Sequence, residues 1–360
     1  MSPTRLVRAA TLVAVVALAA VTSPRAGAQE GTENDPFVRP FPDLVTVETA
    51  RAIELGVRAL VKLQRTDGSW LSEGENGQYP CAMTSLAGMA LLSAGHAPTR
   101  GVYATSVYKA VVWSLKQQTP DGCYTGGGEM RNMYGHGFTM LFLGSVFGNI
   151  PEGKLHDEIK KSLDKAVALT IKAQSDAGGW YYTPESRSDE GSVTVTQMQG
   201  LRACRNSGIN VPESVMVKAV AYLKHCQMDD GGICYSARNR GQSRPAISAA
   251  AVSCMYSAGA YDDPIALKCI KYCKGQFGDR PYEGGFYFYT NFYWAQAMYQ
   301  LGGDDWRKFY PQMQKSILNS HRSGDTWTES GFGGTGQVLG TAMAVMILAL
   351  PYCNVPIFQR

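Results

Sequence analysis

The chain has 360 residues, with 34 Lys and Arg against 30 Asp and Glu, and 45% of it is hydrophobic. Arg5, Arg8 and Arg25 lie in the first 28 residues, so the rest is near neutral, which excludes the basic footprint of a nucleic-acid-binding protein. A chain of this size buries about 75% of its unfolded surface and needs no disulfide staple.

Residues 1–28 read as a secretory signal peptide. Arg5 and Arg8 precede an apolar run from Ala9 to Val21, and Ala26-Gly27-Ala28 is a small-x-small cleavage site. Cleavage near Ala28 predicts a secreted or periplasmic protein. No later run approaches the roughly 18 apolar residues of a spanning helix. Residues 29–45 read as a linker, residues 46–352 as one repetitive domain and residues 353–360 as a tail.

The repeat is a helical run that ends in Gln, then a turn with Gly, then an aromatic. It begins with "VETARAIELGVRALVKLQRTDGSW", where Ala52, Leu55, Ala59, Leu60 and Leu63 share one stripe opposite charged residues. It returns in "SLKQQTPDGCY" and "TIKAQSDAGGW". "YLKHCQMDDGGICY" puts Ile233 in the aromatic slot, "IKYCKGQFGDRPYEGGF" stretches the turn, and "ILNSHRSGDTW" replaces Gln by His321. The anchors at 64, 118, 174, 227, 276 and 321 are 45 to 56 residues apart. Each is followed by a run that is apolar nearly all round, from "CAMTSLAGMALLSAG" to "GQVLGTAMAVMILAL". A helix apolar on every side is a buried helix. Six half-exposed helices alternating with six buried ones predict an all-α, closed (α/α)6 toroid, with an open solenoid as the alternative. In the turns, Gly accepts positive φ, Asp bonds nearby backbone, and Gln can tie the helix end to adjacent backbone.

The Gln-x3-Gly-x-Trp pattern resembles the QW repeat of squalene–hopene cyclases and the related turns of protein prenyltransferase β subunits, over residues 46–352. "GGWYYTPESRSDEGSVTVTQMQGLRACRNSG" is similar to short exported bacterial proteins with prenyltransferase and squalene-oxidase repeats. The resemblance implies a toroid with a central apolar cavity for a hydrophobic, isoprenoid-like small molecule.

In this topology the six buried helices all start at one face. Their dipoles would make that mouth positive and suited to an anion such as diphosphate. The Asp-x-Asp-Asp acid of squalene-type cyclases is absent. Asp189-Glu190 stands at the matching place, either as a reduced acid pair or as a helix cap. Protein prenyltransferases hold zinc with Asp, Cys and His. "DGCY" supplies Asp121 and Cys123, and His136 opens the next buried helix. In the family the His lies a full repeat further on, and the turn reading makes Asp121 punctuation, Cys123 a small buried residue and His136 a pocket-lining side chain. Arg238 and Arg244 are candidates for an anionic group. Tyr182, Tyr287, Tyr289 and Tyr293 are candidates for the cavity wall. Two further readings stand beside a ligand-binding toroid: a non-catalytic scaffold, and a carbohydrate-active barrel pairing Glu190 with Glu283 or Glu329. The nine cysteines, an odd number placed largely in helical patterns, read as buried free thiols, although Cys226 with Cys234 or Cys269 with Cys273 could pair.

Overall fold

The computed structural model describes residues 41–72, 78–320, 325–329 and 336–358. Residues 1–40, where the sequence leads one to expect a signal peptide and most of a linker, lie outside the described residues, as does His321.

Twelve α-helices are found among the described residues: α1 (Val47–Leu63), α2 (Pro80–Ser93), α3 (Ala104–Lys116), α4 (Asn132–Phe147), α5 (Lys154–Ala173), α6 (Gly191–Asn206), α7 (Glu213–Cys226), α8 (Pro245–Ser257), α9 (Pro264–Phe277), α10 (Tyr287–Leu301), α11 (Gly303–Ser320) and α12 (Gly336–Ala349). The even-numbered helices form the inner ring. Each packs on the next, and α12 packs on both α10 and α2, which closes the ring. The odd-numbered helices lie outside. The chain is an all-α, closed (α/α)6 toroid, and the open solenoid is ruled out. None of the helices among the described residues is long and apolar enough to cross a membrane.

The sequence patterns explain the two layers. Every residue of α2 is buried, as an all-apolar helix requires. Helix α1 opens with the Thr46 hydroxyl accepting from Thr49 N–H at 3.1 Å and carries Lys62 in its last turn. Its buried face runs through Ala52, Ile53, Gly56, Val57, Ala59 and Leu60, so Leu55 and Leu63 sit at the edge of the stripe.

Four turns are built alike. The Nε2 group of Gln64, Gln118, Gln174 and Gln227 donates to the carbonyl of the turn glycine four residues on. The same group donates to the next outer helix, at Ser106, Ser162, Val215 and Ile265. One amide thus closes its own turn and fixes the neighbouring hairpin. The glycines Gly68, Gly122, Gly178 and Gly231 all have φ between +90° and +105°. A Cβ there would also meet the carbonyl of Lys109, Lys165, Lys218 or Lys268 at 2.3–2.7 Å, so no other residue fits.

The aromatic is fixed just as regularly. Trp70, Trp180 and Trp327 donate Nε1–H to the carbonyl ten residues earlier. Their backbone N–H groups donate to Thr84, Thr194 and Thr341, each fourteen residues later on an inner helix.

Helices α4 and α6 approach most closely. A Cβ on Gly200 would lie 2.7 Å from the Gly137 carbonyl, and one on Gly144 would lie 3.0 Å from the Ala203 carbonyl carbon. At the far end of the ring the C-terminal segment folds inward. Asn354 donates to the Ser93 carbonyl, and the buried Phe358 packs edge-on against Phe292.

Candidate functional site

The inner-helix N-termini share one mouth, yet they are not the free positive ends that the sequence suggests. Three are capped by carboxylates. Glu129 accepts from Cys81 N–H at 3.1 Å at the start of α2 and from Gly126 N–H at 3.0 Å. Glu190 caps α6, accepting from Ser192 and Val193 N–H at 3.0 and 2.8 Å. Glu329 caps α10, accepting from Phe288 and Tyr289 N–H at 2.7 and 3.2 Å. These carboxylates occupy alternate inner helices and consume the dipole charge that a diphosphate would use.

Beneath the mouth lies a cavity of about 160 Å³. Its floor is apolar: Met83 and Leu86 from α2, Phe138 from α4, Leu339 and Met343 from α12. Its rim is polar: Tyr79, Arg131, Tyr134 and Tyr289. The cavity is off-centre. The interior among α6, α8 and α10 is filled by a buried network in which Gln199 Nε2 and Ser253 Oγ both donate to Gln296 Oε1, at 2.9 and 3.1 Å.

Arg131 lies 4.6 Å above the Tyr182 ring, a cation–π arrangement. The Tyr182 hydroxyl bonds that of Tyr235. Tyr134 lines the cavity and its hydroxyl bonds Ser192 Oγ and, at 3.4 Å, Glu190 Oε2. Glu190 is therefore linked to the cavity through Tyr134. Burial raises its pKa, and the hydrogen bonds from Ser192, Val193 and Tyr134 oppose that shift. Burial likewise holds Glu129 at about 7.

Asp189 does not share this site. Side chains of consecutive extended residues point to opposite sides, and Asp189 Oδ1 accepts from Ala237 N–H at 2.8 Å in the α7–α8 loop. The two acids thus point apart. Tyr289 is on the rim, and the buried Tyr293 packs edge-on behind it. Tyr287 faces outward instead, its hydroxyl 2.6 Å from Ser316 on α11. Arg238 is exposed and donates to the Arg187 carbonyl at 3.3 Å; Arg244 is the exposed N-cap of α8. Neither arginine lines the cavity. Glu283 is exposed on the α9–α10 loop. Glu129 and Arg131 were missed by the sequence reading. Their signal is a charged pair placed between a glycine run and an inner helix, in "GGGEMRNMYGH".

The zinc set does not assemble. His136 stands in the slot that Thr fills in three other turns: its Nδ1 accepts from Tyr124 N–H at 3.2 Å, and Nε2 meets Thr170 Oγ1 at 2.9 Å. Both ring nitrogens are used, and burial lowers its pKa to about 4. The Cys123 thiol is turned to the Tyr124 carbonyl, 3.7 Å away, and burial first, then Asp121, push its pKa up to about 12. Asp121 is exposed and bonds Thr119. Among the described residues, no three His, Cys, Asp or Glu are grouped to hold a metal ion. The residues present do not fit zinc.

This assignment of His136 has a direct check. The second turn pairs a smaller Tyr with a larger His where three others pair Trp with Thr. His136→Thr alone should cost about 2–3 kcal/mol, as a cavity does. Adding Tyr124→Trp should recover at least half of that loss in a double-mutant cycle read by urea denaturation.

The described helices and their closure place this protein among the (α/α)6 toroids. Within that class, the structure is similar to type II terpene cyclase MstE from Scytonema in complex with merosterolic acid A, at a TM-score of 0.61, 12% identity and coverage of 84% of this chain and 96% of that one. It is equally similar to the GH76A α-1,6-mannanase from Salegentibacter sp. HEL1_6, at a TM-score of 0.63, 9% identity and coverage of 85% and 99%. A protein from Actinoplanes gives a TM-score of 0.60 at 14% identity, covering 85% and 99%. At these identities the likeness is one of fold. No protein-family model matches the chain, and no curated protein matches it in sequence.

Proposed function

We propose that the protein binds a hydrophobic, isoprenoid-like small molecule at the mouth of the toroid. The apolar part enters the cavity between α2, α4 and α12, and the polar end lies under Arg131, Tyr134 and Tyr289. One observation carries this reading: the opening is apolar below and carries a cation and tyrosine hydroxyls above. A volume of about 160 Å³ is below the ~300–1,000 Å³ of typical small-molecule sites. A prenyl chain therefore enters partway, or the rim tyrosines move to admit more. If a reaction follows, Glu190 and Tyr134 are where a proton is held next to the ligand. The N-terminal leader would place this site outside the cytoplasm, where a prenyl alcohol or prenylated aromatic acid suits it better than a prenyl diphosphate.

The mannanase neighbour supports a second reading, of a glycan-binding barrel. A variant of that enzyme with two consecutive aspartates replaced is described as inactive, and Asp189-Glu190 is a consecutive acid pair at the mouth here. The divergence of the two side chains favours the first reading. Titration by native mass spectrometry with geranylgeranyl dihydroxybenzoate and with α-1,6-mannotriose separates them. The expected result is a one-to-one complex with the prenylated acid alone. Binding of mannotriose alone reverses the order, and binding of neither removes both.

A further inference from the structure

A second cavity, of about 290 Å³, opens on the outer wall between the end of α6, the length of α7 and the α8–α9 turn. One side is apolar, formed by Met216, Val217 and Val220, with Val217 58% exposed. Val220 beside it is half-buried, so the two valines leave an apolar strip open at the lip of the cavity, on a helix whose Glu213, Lys218 and Lys224 face solvent. The other side carries Arg202 and Arg205.

Glu213 and Lys224 also line this groove, but the two arginines are not paired with an acid. Among the described residues neither takes part in an ion pair, whereas the neighbouring Lys224 is paired with Asp263 at 3.3 Å. The Arg202 Nε atom is buried without a hydrogen-bond partner. Burial and then the repulsion of Arg205 lower the Arg202 pKa, so the folded chain holds two guanidinium groups together at a cost. Helix capping does not explain them. The last carbonyls of α6, at Ala203, Cys204 and Arg205, already accept from the Ser207 side chain and from the backbone of Ser207, Gly208 and Ile209. A buried, unsatisfied donor beside a second cation is the half-site of an oxyanion, because a guanidinium pairs with carboxylate or phosphate through two parallel hydrogen bonds.

We infer that this groove binds a single-chain anionic amphiphile, its acid head on Arg202 and Arg205 and its chain along Met216, Val217 and Val220. The charge complementarity sets the head, and the exposed valine beside it sets the tail. The site is separate from the mouth and does not rest on the function proposed for it. The occupant is a free alkyl phosphate or fatty acid, because a bilayer lipid could not lay its chain along this groove and keep it in the membrane.

Calorimetric titration of the full chain with decyl phosphate, below its aggregation concentration, should give one saturable site. Arg202→Gln with Arg205→Gln should weaken it at least tenfold, and Val217→Asp should weaken it several-fold, with melting temperatures recorded to confirm folding. Flotation with phosphatidylglycerol and phosphatidylcholine vesicles should capture no protein, and capture by the anionic vesicles alone would mean that the arginines meet a membrane surface and would overturn the groove site. The inference is also overturned if decyl phosphate does not bind. It is equally overturned if the double arginine variant binds as well as the parent, if inorganic phosphate binds as tightly as decyl phosphate, or if binding is abolished instead by Ala82→Leu, a change at a residue of α2 that lines the mouth cavity.

Discussion

Gly200→Leu should leave the chain unable to reach its native state. The Cβ alone would sit 2.7 Å from the Gly137 carbonyl oxygen and 3.0 Å from the Met140 Cβ. Backbone cannot rotate away as a side chain can, so α4 and α6 must separate. Overpacking of a core costs about 1–3 kcal/mol and more where backbone must move. A loss of about 4 kcal/mol or more is a large part of a typical total stability of ~5–15 kcal/mol. Gly200→Ala should lose about 2 kcal/mol by the same contact. The control is Gly275→Ala on outer helix α9, where nothing lies within 4 Å of the added carbon. There the same change should stabilise by about 0.5–1 kcal/mol, through helix propensity. Urea denaturation of the three variants reads the contrast. Equal effects at positions 200 and 275 would mean that α4 and α6 do not touch backbone to backbone. The contact matters for the site, because α4 carries Tyr134 and Glu190 caps α6.

The second large effect is at Glu190. Its carboxylate accepts from two backbone N–H groups and from the hydroxyls of Ser192 and Tyr134, with the side chain fully buried. Glu190→Leu leaves these donors without an acceptor in a place water does not reach. The expected cost is about 3–5 kcal/mol. Glu190→Gln keeps one acceptor oxygen and should cost about 1–2 kcal/mol. The pH dependence has a defined sign. The folded pKa of Glu190 is raised, so the native state holds a proton that the unfolded chain has released, and stability falls as pH rises through that window. Glu129 acts in the same direction between 4.5 and about 7. His136 acts oppositely. Its folded value of about 4 lies below 6.5, so stability rises with pH between the two. Between pH 4.5 and 6.5 Glu129 and His136 oppose each other, so the net loss of stability with rising pH is the one that Glu190 adds, together with the last part of the Glu129 titration up to about 7. Glu190→Gln should flatten that loss, and a Glu190→Gln profile parallel to the parent's would contradict the assignment.

The ring of helices was legible because the pattern is both periodic and repeated. An amphipathic run, a Gln-Gly turn and an all-apolar run can be satisfied together only by two concentric layers. The turns were legible for the same reason, and each Gln, Gly and aromatic has the backbone partner its chemistry demands. Side-chain direction on the inner helices was not legible. An inner helix is apolar on every side, so its sequence carries no phase, and nothing in "FYFYTNFYW" tells the outward Tyr287 from the rim Tyr289. The mouth electrostatics were hidden differently. Glu129 caps α2 from 48 residues away along the chain, a pairing created only by closure of the ring. The apparent Asp121, Cys123 and His136 set dissolves because His136 does the work of a threonine, which shows only when the four turns are superimposed in space.

The most direct test of a ligand site at the mouth is a change of cavity volume without a change of charge. Ala82 lines the cavity and is 4% exposed. Ala82→Leu should fill much of the space, leave the melting temperature within a few degrees, and reduce binding of geranylgeranyl dihydroxybenzoate at least tenfold in native mass spectrometry. Undiminished one-to-one binding by a folded Ala82→Leu protein would place the ligand elsewhere and contradict a binding site between α2, α4 and α12.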